Sequence, residues 1–292
     1  MHITTMTVVS VGDPTGLGVA CTPAGCFQVV VLLRAVVIGL SGLLGVLGAL
    51  SYLADASQTT REERRRVRAE RDALESFIDR VRALSPTTPS ADHGAGYTPA
   101  VLTSQSGPDA AAVGEAYRET MLSVDHYEED YGEPLGANLR AELGPDVANA
   151  LASGGPLTPD LQQAVVAAGE QARTEREAFL TELGTEADAL AESAERLQSI
   201  EAALDEARAA PDIDDFESLA DRWQRLDRLE AACVAVVDDR RASLSDRDAF
   251  DLSRYLYESV GPPYPVVAAA ADLLGEVRVE RDRTTDMLTR VV

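Results

Sequence analysis

The chain has no lysine: all 26 of its basic residues are arginine, set against 49 acidic residues for a formal charge of -23 over 292 residues. That absence excludes Schiff-base and other lysine-dependent chemistry. Histidine and cysteine are scarce too, with three of each. No histidine has a glutamate three residues before it, the spacing that helical di-metal sites use, so no metal site is expected. Nucleophile elbow, phosphate-binding loop and dinucleotide fingerprint are all missing, and no segment reads as a convincing strand. The chain is therefore not expected to be an enzyme, and no catalytic residue, cofactor or small-molecule substrate is assigned. Aromatics stop at eight Tyr, five Phe and one Trp.

What remains is acidic, arginine-only and rich in Ala, Val and Leu, a composition that looks like that of an extreme halophile. At molar salt the Debye length falls to about 3 Å, so the self-repulsion of such a surface is largely screened. The acidity is read as a response to solvent. A disordered acidic chain would not carry 45% hydrophobic residues at helical spacing.

One long uncharged run interrupts this pattern, Ala35 to Ala54, and an arginine cluster follows it: Arg61, Arg64, Arg65, Arg66, Arg68 and Arg71. Twenty residues of helix cover the roughly 30 Å hydrocarbon core of a bilayer, so the run is expected to be a single transmembrane helix. The cluster on its C-terminal side places that side in the cytoplasm and the N-terminus outside. Ser41, Gly45 and Ala49, four apart, form a possible packing face for a second spanning helix. Nucleic acid is not expected as a partner, because glutamates interleave the cluster and residues 85–292 carry 17 arginines against 41 acids. Membrane lipid is.

Residues 1–34 read as an N-terminal tail, with Val29, Val30 or Val31 as an alternative start, and Cys21 and Cys26 flank a Thr-Pro-Ala-Gly turn that could let their sulfurs meet. Residues 55–84 read as a juxtamembrane basic helix, with Val67, Leu74, Phe77, Val81 and Leu84 at helical spacing. Residues 85–108, rich in Pro, Gly, Ser and Thr, read as a flexible linker that marks a domain boundary. A helical bundle is expected over 109–292, giving an all-α fold behind the anchor.

Within the bundle, a helix is expected from Asp109 to about Tyr131, then Leu135 to Leu143 and Pro145 to Leu151. Thr158-Pro159 is an N-cap with proline at the first helical position, opening a helix that can run to Ala209 with Gly184 as its weak point. Leu183, Leu190, Leu197 and Leu204 fall seven apart, a coiled-coil seam whose far end turns polar at Glu201 and Arg208. Phe216, Leu219, Trp223, Leu226 and Cys233 continue the heptad on the next helix, about Asp214 to Arg241. A short break at Pro211-Asp212 favours a long antiparallel hairpin with the two faces packed on each other. Shorter helices follow, Asp246 to about Ser259 and Tyr264 to about Arg290, and Phe250, Tyr255, Tyr257 and Tyr264 read as a packing nucleus. His126 lies in Asp-His-Tyr-Glu-Glu-Asp-Tyr, read as a solvated acidic face rather than a metal site.

Four short runs, Tyr117 to Met121, His126 to Tyr131, Glu175 to Leu180, and Tyr255 to Tyr257 with Pro263 to Val266, resemble an uncharacterised family of haloarchaeal helical proteins over about 117–292. The resemblance implies an all-helical fold and a halophile origin, with no activity attached. The expected function is that of a membrane-anchored interaction or scaffold protein, presenting an acidic coiled-coil surface to a protein partner or to its own second copy. The alternative is a membrane-associated sensor or regulator signalling through the coiled coil. A helical enzyme or metal-binding bundle comes third.

Overall fold

The computed structural model describes residues 51–87, 109–209, 215–245, 251–258 and 261–291 in full, and secondary structure alone for 8–9, 19–22, 25–50 and 247–250. Where no strand was expected, three short ones occur: β1 (Val8–Val9), β2 (Val19–Thr22) and β3 (Gly25–Gln28), antiparallel in the order β1-β2-β3. The β2–β3 register sets Cys21 opposite Cys26. Every later named element is helical. Residues 88–108 of the expected linker lie outside the described residues.

The chain packs as two units, Thr60–Asp188 and Met1–Thr59 with Ala189–Val292. Two long helices contribute to both, α1 (Val29–Ala83) and α6 (Pro159–Ala209).

In the 60–188 unit, α1 supplies Leu74, Phe77, Ile78 and Val81 to a core shared with α2 (Ala110–Thr120), α4 (Leu135–Leu143), α5 (Pro145–Ala152) and the first turns of α6. The segment read as a basic flank is thus part of the core, and the boundary expected at the linker does not follow the packing. Phe77 meets Tyr117 edge to face, with ring centroids 5.1 Å apart. Gly169 permits the close approach of α6 to α1, since a Cβ there would stand 3.0 Å from Ile78 Cγ1. Helix ends are closed by side chains: Asp109 accepts from the Ala111 and Ala112 amides, and Thr158 from Leu161. The Gln162 amide donates to the Val81 and Leu84 carbonyls, satisfying the last turn of α1.

The helix expected from 109 to 131 breaks after Thr120. A 3-10 turn follows at Met121–Ser123, then one short helix, α3 (Tyr127–Asp130). The Thr120 and Ser123 hydroxyls donate to the carbonyls of Ala116 and Thr120, 2.8 Å each. Gly144, at φ 84°, separates α4 from α5 in a conformation that suits glycine.

In the other unit, α7 (Phe216–Ser243) lies antiparallel along α9 (Pro265–Val291). The pairing fixes the direction: Trp223 donates to Thr285, while Glu230, seven residues on, accepts from Arg278. Val266, Ala270, Leu273 and Val277 are buried on α9, facing a core that includes Leu219, Leu226 and Cys233 of α7. Burial, with Glu230 adding, pushes the Cys233 thiol up to about 11. The expected two-helix hairpin is therefore a larger packing. Leu190, Leu197 and Leu204 of α6 are buried, and ion pairs Arg196–Asp239 (2.8 Å) and Arg208–Glu276 (2.9 Å) place that stretch beside both α7 and α9. At the polar end of the seam, burial and then Asp205 and Glu276 raise the Glu201 carboxyl.

Not all seam positions are inside. Leu183 is buried in the 60–188 unit, Trp223 is half-buried, and Phe216 is 55% exposed because it opens α7 next to its cap, Asp215. The aromatic nucleus holds only in part: Tyr257 is buried on α8 (Arg247–Tyr257) and Tyr264 half-buried, Tyr255 is 63% exposed, and the Phe250 side chain lies outside the described residues. Neighbours two apart on a helix face different ways.

The seam makes a paired expectation. Leu226→Ala should cost about 2–5 kcal/mol in denaturant unfolding, whereas Phe216→Ala should stay within about 0.5 kcal/mol of the parent. Equal costs would place Phe216 in a contact this packing does not have.

Candidate functional site

Among the described residues of the 60–188 unit, Glu70 gathers side-chain partners from three other residues, His126, Tyr131 and Arg176; in sequence it is only one of the acids that interleave the arginine cluster. It follows Val67 by three and precedes Leu74 by four, so helical geometry points it into the core with them. Its side chain is 9% exposed.

Three donors reach it. Tyr131 Oη donates to Oε1 at 2.9 Å, His126 Nε2 stands 3.3 Å from the same oxygen, and Arg176 Nε donates to Oε2 at 3.2 Å. Arg176 turns its Nη2 to Glu142 Oε1 at 2.6 Å, so one guanidinium of α6 bridges carboxylates of α1 and α4. Burial opposes the arginine's charge, but Glu142 and Glu70 outweigh it and raise its pKa. The second Glu142 oxygen is buried with no hydrogen-bond partner among the described residues. Beside this group Tyr117, fully buried, donates to Asn138 Oδ1 at 2.6 Å, and burial followed by Glu142 raises the phenol. Burial and then Glu70 raise Tyr131 in the same way.

The motif at 126–131 therefore divides. His126 and Tyr127 are buried, while Glu128, Glu129, Asp130 and Tyr131 are on the surface; the expected solvated face holds only for the second half. Tyr127 and Tyr131 stack with ring centroids 5.8 Å apart, and Tyr127 Oη donates to the Glu133 carbonyl. Two features that looked separate also meet: Arg66 of the cluster donates to Asp130 Oδ1 at 2.6 Å and reaches Glu129 at 3.4 Å. Further down α1, Arg80 pairs with Glu119 and Arg82 with Glu170.

Chemically this is a clasp. Both oxygens of Glu70 are already engaged by protein donors, and among the described residues no group of three or more His, Cys, Asp or Glu is placed to hold a metal ion. Asn138, Glu142 and the partnership of Glu70 with Arg176 escaped the sequence reading. The available signal was a glutamate standing in an apolar stripe.

The other expected site residues fall as follows. Arg61, Arg65 and Arg68 are exposed, Arg64 and Arg71 are half-buried, and Arg71 pairs with Asp72 at 2.5 Å. Of Ser41, Gly45 and Ala49 only the helical backbone is described. Among the residues described in full no helix is long and apolar enough to cross a membrane, and the expected span lies outside those up to residue 50.

Arg176→Met would leave two buried carboxylates facing one another, and a loss of about 3–5 kcal/mol in unfolding free energy is expected. A second expectation concerns alkali. Tyr117 is raised in the folded chain, so its contribution is complete below the unfolded value of about 10 and is lost as pH climbs past it. Between about pH 8 and pH 11 the parent should lose more stability than Tyr117→Phe does; parallel losses would remove the phenol from the account.

No curated protein and no solved structure matches the chain. A family of proteins does, over residues 51–281, which take in the whole clasp, all of α7 and α9 as far as Arg281. The chain belongs to that family, described as Domain of unknown function (DUF7260).

Proposed function

We propose that the chain is a single-pass, membrane-anchored helical interaction protein of a salt-adapted organism, presenting its acidic helices to a protein partner or to a second copy of itself. The observation that carries this reading is the course of α1. That helix begins at Val29, runs through the uncharged stretch and ends at Ala83 in a folded core. The uncharged stretch and a core helix are thus one element.

The end of the run is better assigned to protein than to lipid. Leu53 and Ala56 are each 2% exposed, and Tyr52, Asp55 and Ala56 line a small cleft with Tyr257, Gly261, Pro262 and Pro265. The inner edge of the bilayer then falls near residue 51. The arginines beyond it favour an outside N-terminus and a cytoplasmic C-terminal region. Ser41, Gly45 and Ala49 would let a second spanning helix come close. The charge of -23 and the exclusive use of arginine support the salt-adapted origin. Continuity of α1 equally supports the second reading, a sensor or regulator that signals from the span into the helices.

Fractionation of cells making the full chain with a C-terminal tag tests the anchor. The chain should stay in the membrane pellet through alkaline carbonate, leave it in detergent, and lose its tag to protease only after the membrane is opened. Release by carbonate would overturn the reading.

A further inference from the structure

The chain's three cysteines are Cys21, Cys26 and Cys233. Cys233 is fully buried in α7, and burial raises its thiol, which leaves little of the thiolate that reacts. Backbone register brings the other two together. β2 and β3 pair antiparallel through four successive positions, Val19 with Gln28, Ala20 with Phe27, Cys21 with Cys26 and Thr22 with Gly25. β2 is also the central strand, held on its other side by β1 through Val8–Ala20 and Val9–Val19, so two ladders fix its place. Only two residues separate Thr22 from Gly25, the i to i+3 spacing at which a carbonyl and an amide bond across a connection. Antiparallel pairs alternate between hydrogen-bonded and non-hydrogen-bonded, so Cys21 and Cys26 fall at a non-hydrogen-bonded position, where opposed Cα atoms stand about 4.5 Å apart. That separation lies within the range of about 4.4–6.8 Å that a disulfide bridges. Directly opposed residues also share one face of the sheet.

We propose that Cys21 and Cys26 are joined by a disulfide that staples β2 to β3 immediately ahead of α1, formed by exchange with a small-molecule disulfide such as oxidised glutathione. The thiolate of one cysteine attacks a sulfur of that oxidant, its S–S bond breaks, and one glutathione leaves as a thiolate that takes up a proton. The second cysteine, as thiolate, then attacks the protein-bound sulfur, forms the Cys21–Cys26 bond and expels the second glutathione. Two cysteine thiols are oxidised and one glutathione disulfide is reduced to two thiols, with the cysteine protons ending on the leaving groups. Register makes the second step intramolecular, and a neighbouring thiol competes at an effective concentration of about a millimolar or more. A shift of one residue forfeits this advantage, because position 27 lies on the opposite face from Cys26. The staple belongs to the hairpin and stands without reference to the anchor proposed above.

Full-length chain in detergent is equilibrated with about 0.1 mM each of oxidised and reduced glutathione, roughly a tenth of that effective concentration. The exchange is stopped with acid, free thiols are trapped with N-ethylmaleimide in denaturant, and tryptic peptides are weighed. The chain has no lysine and Arg34 is its first arginine, so both cysteines leave in one peptide, 1–34. That peptide should be lighter by two hydrogens, in about tenfold excess over the forms that carry glutathione or maleimide. The variant Cys26→Ser/Phe27→Cys keeps two cysteines at nearly the same spacing but on opposite faces, and its excess should fall by about tenfold. Equal closure in parent and variant would mean that nearness in sequence suffices, and it overturns the assignment. So does a parent peptide that stays mostly in its glutathione or maleimide form, or one joined mostly to a second chain on a non-reducing gel. The parent measurement decides between these outcomes without the variant, and circular dichroism shows that the variant keeps its helices.

Discussion

Everything in the 60–188 unit is arranged around a buried carboxylate that cannot stand alone. Removing Glu70 from water costs several kcal/mol, and that cost is offset only while Arg176, Tyr131 and His126 hold their places. Because those donors come from α6, from the end of α3 and from the turn before it, satisfying one group fixes the placement of several elements on α1. Glu142 extends the demand to α4. A hydrophobic core tolerates sliding of one helix on another far better than a charge with specific partners does, so the clasp reads as a device for register more than for stability.

α1 is the element on which the account turns, because its faces have different tasks. One carries Leu74, Phe77, Ile78 and Val81 into the core along with Glu70; the opposite one carries arginines into solvent. Between them Arg66 reaches the acids of α3. The six arginines that look like a single cluster in sequence are thus distributed by helical geometry into groups with different partners. In the second unit the same logic appears between α7 and α9, where Arg278 and Arg281 meet Glu230 beside the apolar stripe, and Arg281 also lies over the Trp223 ring at 5.9 Å. Arg222 and Glu280 form its buried pair.

Local chemistry made much of this fold legible. Thr158-Pro159 marks the start of α6, Gly144 divides α4 from α5, and the leucines at 183, 190, 197 and 204 are buried as seven-residue spacing implies. What was illegible depends on distant partners. Glu70 has no acidic or basic neighbour in sequence that reveals Arg176, 106 residues away. The break after Thr120 falls where apolar spacing carries on, so periodicity does not register it. α9 packs along α7 while ion pairs set α6 beside both, and periodicity alone does not count such partners. Family membership over 51–281 supplies no activity.

The clasp is the central claim, and a double-mutant cycle on Glu70→Gln and Arg176→Met, read from urea unfolding of the full chain, tests it most directly. The account predicts strong coupling: the double variant should be more stable than the sum of the two single losses, by about 1–3 kcal/mol. A coupling energy within about 0.3–0.5 kcal/mol of zero, the additivity of independent sites, would contradict it.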